Sequence, residues 1–446
     1  MVDDQNSNDI PANNPIPDQD PQTSETPEDE DEEHRIKRRR PVYEPTLFKD
    51  KKKFTIPRWL AGVVFAAVCA ALVYFLIIVP RQRAHFVTVG QVVFSADPGK
   101  TGLTHLYLVN ADGTGLTQVT KGNGSDSQPA FAPDGNQIAF VSNQDDPTKQ
   151  LYCVNPNGKE RTQLTRTVGV KGAPAYAPGS YNMIAYTDAG VLEVLDMSSN
   201  SATRLLPPTP KKGADTADTL AGANIGKTIT NFAWAPGTDV NKEGIAAVEE
   251  TNGEDRLILQ PTLDSDPILS TDGTPEGPPL MLSQSMSLAW SPDGKTIAVA
   301  ALGVEGIPNG GKLSGIFFVD GTTHQPSHAP VFMLKSDVAG PQSPVFSPDG
   351  ARVVCQLIEQ PDITKTIVAG LGFARMDGSR PPSLAIHGQA SEPKFSPDGH
   401  YLYFLGARPD GGHDLVQADM TKGVLKRLSD GTADVTGYDI SPQQTK

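Results

Sequence analysis

The chain is 446 residues long, room for two or three ordinary domains or for one large β domain with additions. Its 42 glycines and 39 prolines make up about 18 % of the residues against a usual ~12 %, which favours many turns over long helices. A formal net charge of −14 excludes a general nucleic-acid binder, and three cysteines exclude a disulfide scaffold.

In chain order, residues 1–33 come first, with twelve acids and neither lysine nor arginine. Such a stretch buries too little apolar surface to offset its ordering entropy, so residues 1–57 are predicted to be a disordered tail, acidic and then basic. The basic part runs through Arg35, Lys37, Arg38, Arg39 and Arg40 to Lys49, Lys51, Lys52 and Lys53. Ahead of Pro41 it could be read as a nuclear address, but the next segment favours a membrane. Residues 59–79 carry no charge, and twelve of them are Leu, Ile, Val or Phe. A helix of that length spans about 31 Å, matching a ~30 Å hydrocarbon core. A transmembrane helix is therefore expected over 58–80. Seven Lys and Arg in residues 39–58 oppose two in 80–99, which sets the N-terminus in the cytoplasm and the rest outside. The basic run from Arg35 to Lys53 would then also attract anionic inner-leaflet lipids.

The remainder is a repeat. Phe131-Ala-Pro133-Asp-Gly135, Tyr176-Ala-Pro178-Gly179, Trp234-Ala-Pro236-Gly237, Trp290-Ser-Pro292-Asp-Gly294, Phe346-Ser-Pro348-Asp-Gly350 and Phe395-Ser-Pro397-Asp-Gly399 are copies of one phrase, and Ile440-Ser-Pro442 is a truncated seventh. Ser-Pro-Asp-Gly fits a type I turn followed by a glycine in the left-handed region, which joins two antiparallel strands. An apolar run restarts five residues after the proline at Ile138, Met183, Ile297, Val353 and Leu402. Third strands follow, such as Leu106–Asn110, Leu151–Asn155 and Leu415–Asp419, and short fourth strands such as Arg161–Thr165. Four strands per repeat make a propeller blade. The first repeat, from Gln91, lacks a first strand, and the chain ends in a first strand, Thr436–Pro442, that lacks a second. Pairing one with the other closes a ring, which predicts an all-β, seven-bladed propeller over 85–446, with six or eight blades as alternatives.

The phrases Trp-Ser-Pro-Asp-Gly-Lys-Thr-Ile-Ala and Leu-Tyr-Leu-Val-Asn-Ala-Asp-Gly resemble the WD40-like repeats of TolB-type propellers over roughly residues 88–443. TolB-type propellers have six blades and no membrane anchor, so this chain departs from them on both points. The resemblance implies interaction at the periplasmic or cell-surface side. Related propellers are also fused to serine peptidases, which need a Gly-x-Ser-x-Gly elbow. No such pentapeptide occurs here, and a peptidase is set aside on that ground.

Other motifs carry little chemistry. Gly306-Ile-Pro-Asn-Gly-Gly311-Lys312 has P-loop spacing, but Leu313 replaces the hydroxyl residue and strands flank it. The eight histidines show no metal-ligand spacing, so no metal, cofactor or catalytic residue is assigned. Cys153 and Cys355 fall at core-strand positions and are predicted to be buried free thiols. The phrase aromatics, from Phe131 to Phe395, are read as packing between blades. A candidate partner face is formed by long loops opposite the Ser-Pro-Asp-Gly turns, with Lys211, Lys212, Asp215, Asp218 and Asn309. The expected function is a membrane-anchored, non-enzymatic propeller that binds or scaffolds a protein or glycan outside the cytoplasm. The alternatives are an enzyme with its active site in the central channel and a sensor signalling through the tail.

Overall fold

The computed structural model describes residues 90–442 except 146, 208–225, 238–243, 264, 266–267, 270–284, 305–311, 324 and 363–364. These residues form seven four-stranded antiparallel sheets, and among them there is no helix. The seven-bladed expectation holds. The expected tail and membrane helix lie outside the described residues, among which no helix is long and apolar enough to cross a membrane.

The second strand of each blade shows why the sequence folds this way. Ile138–Ser142 is buried along its whole length, because neighbouring sheets cover both of its faces. The outermost strands of the first two blades, Thr117–Gln118 and Thr162–Gln163, are only two residues long and largely exposed. Short outer strands leave little open edge. Apolar clusters run between blades: Val93, Leu106 and Leu108 of the first blade pack with Phe131, Ile138, Phe140 and Tyr152 of the second. The phrase aromatics sit in these seams, as expected. Phe131, Tyr176, Trp234 and Phe346 are buried, and each stabilises the fold by about 2–3 kcal/mol. Trp234 and Trp290 also donate Nε1–H to the carbonyls of Ala175 and Ala233 in the preceding blade, at 3.1 and 3.2 Å.

The turns take the expected form. Gly294, Gly350 and Gly399 have φ of 70, 69 and 70°, and each donates its N–H to the serine carbonyl three residues earlier. The serine hydroxyl donates to the aspartate between them, as Ser291 does to Asp293 at 2.6 Å.

Closure also holds. Asp434–Ile440 pairs antiparallel with Gln91–Asp97, setting Val93 opposite Asp439 and Phe94 opposite Tyr438. Beyond the strand, Ser441 Oγ accepts the Gln91 N–H at 2.8 Å, and the Ser441 N–H returns to the Gln91 carbonyl at 2.8 Å. Val435 and Tyr438 enter the core with Val92, Phe94 and Leu415. Cys153 and Cys355 are buried and free.

The sixth blade departs from the repeat. Its middle strands, Arg352–Asp362 and Lys365–Arg375, are eleven residues each, against five for Ile138–Ser142 and Gln150–Val154.

Candidate functional site

The first strand of each sheet is its innermost, and most adjacent first strands pack on one another around the centre of the ring. In four of them one residue is in the left-handed region: Gln128, Ala173, Ser343 and Glu392, with φ of 53, 47, 49 and 52°. Each precedes a proline and lies at a break in strand register, for example between Ser127 and Ala130. There two residues of the first strand oppose one of the second, which is a β-bulge. Proline fits a bulge because no ladder partner awaits its missing N–H. Gln128, Ala173 and Glu392 are exposed while the prolines beside them are buried, so the bulge turns one residue per strand toward the channel.

Side chains link these bulges around the ring. Gln128 Oε1 accepts the N–H of Ala173 at 2.8 Å, and Ser287 Oγ accepts that of Ser343 at 2.8 Å. In both cases the preceding blade reaches the left-handed residue of the next. On the other side of the ring, Lys394 donates to the Tyr438 carbonyl at 2.8 Å and to Asp439 Oδ1 at 3.0 Å. Asp439 Oδ2 in turn accepts the Phe131 N–H at 2.8 Å. This relay joins the seventh, first and second blades.

Glu392 stands apart. Its carbonyl accepts from the Tyr438 hydroxyl, which also donates to the Tyr403 carbonyl at 2.9 Å. Its carboxylate, however, makes no hydrogen bond or ion pair within reach among the described residues. Surrounding protein pushes its pKa up, and the charges of Lys394 and His413 oppose that rise only in part. At the start of the seventh blade's third strand, the backbone N–H of His413 donates to Asp434 Oδ1 at 2.7 Å, and its Nδ1 lies 3.4 Å from the same oxygen. Glu392, Lys394, His413, Asp434 and Asp439 thus gather where the seventh and first blades meet.

No hydrolytic triad appears among the described residues. Ser327 Oγ lies 3.0 Å from His328 Nδ1, but both are on an exposed outer strand and the imidazole packs edge-on against Phe318. Asp126 is fully buried with Arg161 at 3.2 Å and His105 at 3.5 Å, and Ser142 Oγ joins that cluster by accepting from Arg161 at 2.8 Å, with no hydrogen bond to the imidazole among the described residues. No group of three or more His, Cys, Asp or Glu is placed to hold a metal ion among the described residues. The residues of the expected partner face, Lys211, Lys212, Asp215, Asp218 and Asn309, lie outside the described residues.

The sequence reading missed the channel residues although a signal was present. Pro129, Pro174, Pro344 and Pro393 each stand two residues before the phrase aromatic, and each marks the residue before it as the one that bulges.

The profile of the dipeptidyl peptidase IV (DPP IV) N-terminal region matches residues 77–191. Dipeptidyl-peptidase 5 of Porphyromonas gingivalis is 27 % identical over 344 residues, covering 75 % of this chain and 45 % of that protein. The chain thus spans less than half the length of this curated relative. Among solved structures, TolB from Acinetobacter baumannii is similar over 79 % of this chain and 67 % of its own, at 14 % identity and a TM-score of 0.45. Oligogalacturonate lyase from Vibrio parahaemolyticus is similar over 76 % and 85 %, at 12 % identity and a TM-score of 0.47.

These findings correct two expectations. The likeness to a dipeptidyl-peptidase and to the DPP IV N-terminal region overturns the expected non-enzymatic binding or scaffold module, and with it the exclusion of an enzyme. The missing Gly-x-Ser-x-Gly elbow misled because it belongs to an α/β hydrolase fold, so its absence says nothing about what a propeller serves.

Proposed function

We propose that this chain is a peptidase-related propeller that takes peptide substrate through its central channel, with Glu392 meeting the positive charge of the peptide. The likeness to a dipeptidyl-peptidase over three quarters of the chain carries this reading, because it supports peptide as the substrate class. The channel adds a chemical reason. A carboxylate that no residue neutralises, in a partly desolvated setting, suits an ammonium group better than any neutral ligand. Peptide binding is the part of the reaction that the propeller performs. The anchor read at residues 59–79 would hold this propeller on the outer side of a membrane, which protease protection of the C-terminal part in intact cells would test.

The functional test uses peptides with free and with acetylated N-termini, scored for cleavage by mass spectrometry and for binding by fluorescence polarisation. Free N-termini are expected to bind about tenfold tighter, and Glu392→Gln to remove that preference, as loss of one charged hydrogen bond predicts. Equal affinity for both peptide sets, or neither binding nor cleavage, would overturn the reading.

A further inference from the structure

Between the outer halves of the sixth and seventh blades lies a cavity of about 540 Å³, within the range of small-molecule sites. It is separate from the channel, because the strands that form it are outer ones. On the sixth-blade outer strand, Ser383–His387, a register shift opposite Leu371 and Gly372 sets an extra residue into the strand, and Ser383, Ala385 and His387 line the cavity. Two of these side chains are small, which leaves the space open. Phe373, Ile386 and Met420 supply apolar lining.

The charge of this cavity is unusual for the chain. Arg352, Arg375 and Arg380 all line it, and none is at ion-pair distance from a carboxylate among the described residues. Asp349 and Asp377 act on Arg352 and Arg375 only through space. The lining carboxylate, Asp419, is already occupied: it accepts from the Thr421 hydroxyl at 2.6 Å and from the N–H groups of Thr421 and Lys422, both at 2.9 Å. In a protein of net charge −14, three guanidinium groups without a carboxylate partner among the described residues, around one partly apolar cavity, form a local field that draws anions. Guanidinium groups match carboxylate and phosphate oxygens in paired hydrogen bonds.

We infer that this cavity binds a small organic anion, its carboxylates or phosphate held by Arg375 and Arg380 and its apolar body set against Phe373, Ile386 and Met420. Phenyl phosphate and benzylsuccinate are the probes for the two anion types, and benzyl alcohol is the neutral control. Titration calorimetry on the whole protein at low ionic strength, where attraction is least screened, reads the binding. One aryl anion or both should bind at one site, and the alcohol should not. The tighter of the two identifies phosphate or carboxylate as the recognised group. The double variant Arg375→Ala/Arg380→Ala should weaken binding about tenfold or more, whereas Arg166→Ala should leave it unchanged. Ala385→Phe should abolish binding by filling the cavity, with an unaltered thermal transition showing that the fold persists. Glu392→Gln should have no effect, so this site stands or falls independently of peptide binding in the channel. No binding of either anion at about 10 mM, or binding indifferent to both the arginine and the Ala385 substitutions, would overturn the inference.

Discussion

Asp349 illustrates how single residues secure the repeat. Its carboxylate accepts from the Ser347 hydroxyl and, at 3.0 Å, from the Ala351 N–H, and these bonds hold its pKa below the ordinary aspartate value. A lowered folded-state pKa stabilises the fold above the unfolded value, and that contribution fades as pH falls through the folded one. Ser347 Oγ also accepts the Arg352 N–H at 3.0 Å. Ser347→Ala should therefore raise the Asp349 pKa toward the ordinary range by NMR titration and cost about 1 kcal/mol. Gly350 tests the backbone alone. A Cβ there would meet nothing nearer than Pro292 Cδ at 3.9 Å, so Gly350→Ala should cost about 1–2 kcal/mol from its φ of +69° rather than from crowding. Glu392 has the opposite sign to Asp349. Its raised folded-state pKa disfavours the ionised form, so its contribution is favourable at low pH and is lost as pH rises through that pKa. Glu392→Gln is thus expected to raise the melting temperature at neutral pH, and the gain should vanish in acid. An unchanged or lowered melting temperature at neutral pH would contradict this.

At the scale of elements, the strand Asp434–Ile440 decides whether the ring is shut. Tyr438 is almost fully buried, and its hydroxyl serves two carbonyls. Tyr438→Phe should cost about 1–3 kcal/mol in denaturant unfolding, since both carbonyls lose their donor. Removing residues 434–446 should do more. The open edge of Gln91–Asp97 would invite pairing between molecules, visible as aggregation on size-exclusion chromatography and a lost cooperative melt. This closure was legible from the sequence because a first strand without a second, and a second without a first, sit at opposite ends of one periodic pattern. The turns were legible because Ser, Pro, Asp and Gly each meet a distinct conformational need. The lengthened strands of the sixth blade were not, since Arg352–Asp362 extends past the repeat through polar residues with no alternation to mark it. The group around Glu392 was not legible either. Glu392, His413 and Asp434 come from three strands, and only their register brings them together.

For the whole molecule, one repeat supports several functions, because the blade phrase encodes packing and turns rather than a ligand. Trp234, Trp290 and the Ser-Pro-Asp-Gly turns would look the same in a scaffold and in a peptidase-related propeller. What separates those functions is the channel and its surroundings, where the bulges of the first strands turn Gln128, Ala173 and Glu392 inward. In the proposed function, peptide enters this channel and meets Glu392. A structure of the protein with a bound peptide carrying a free N-terminus tests it most directly. The peptide ammonium is expected within about 4 Å of the Glu392 carboxylate, between the first strands. A peptide seated only on the outer rim of the ring, with Glu392 untouched, would contradict it.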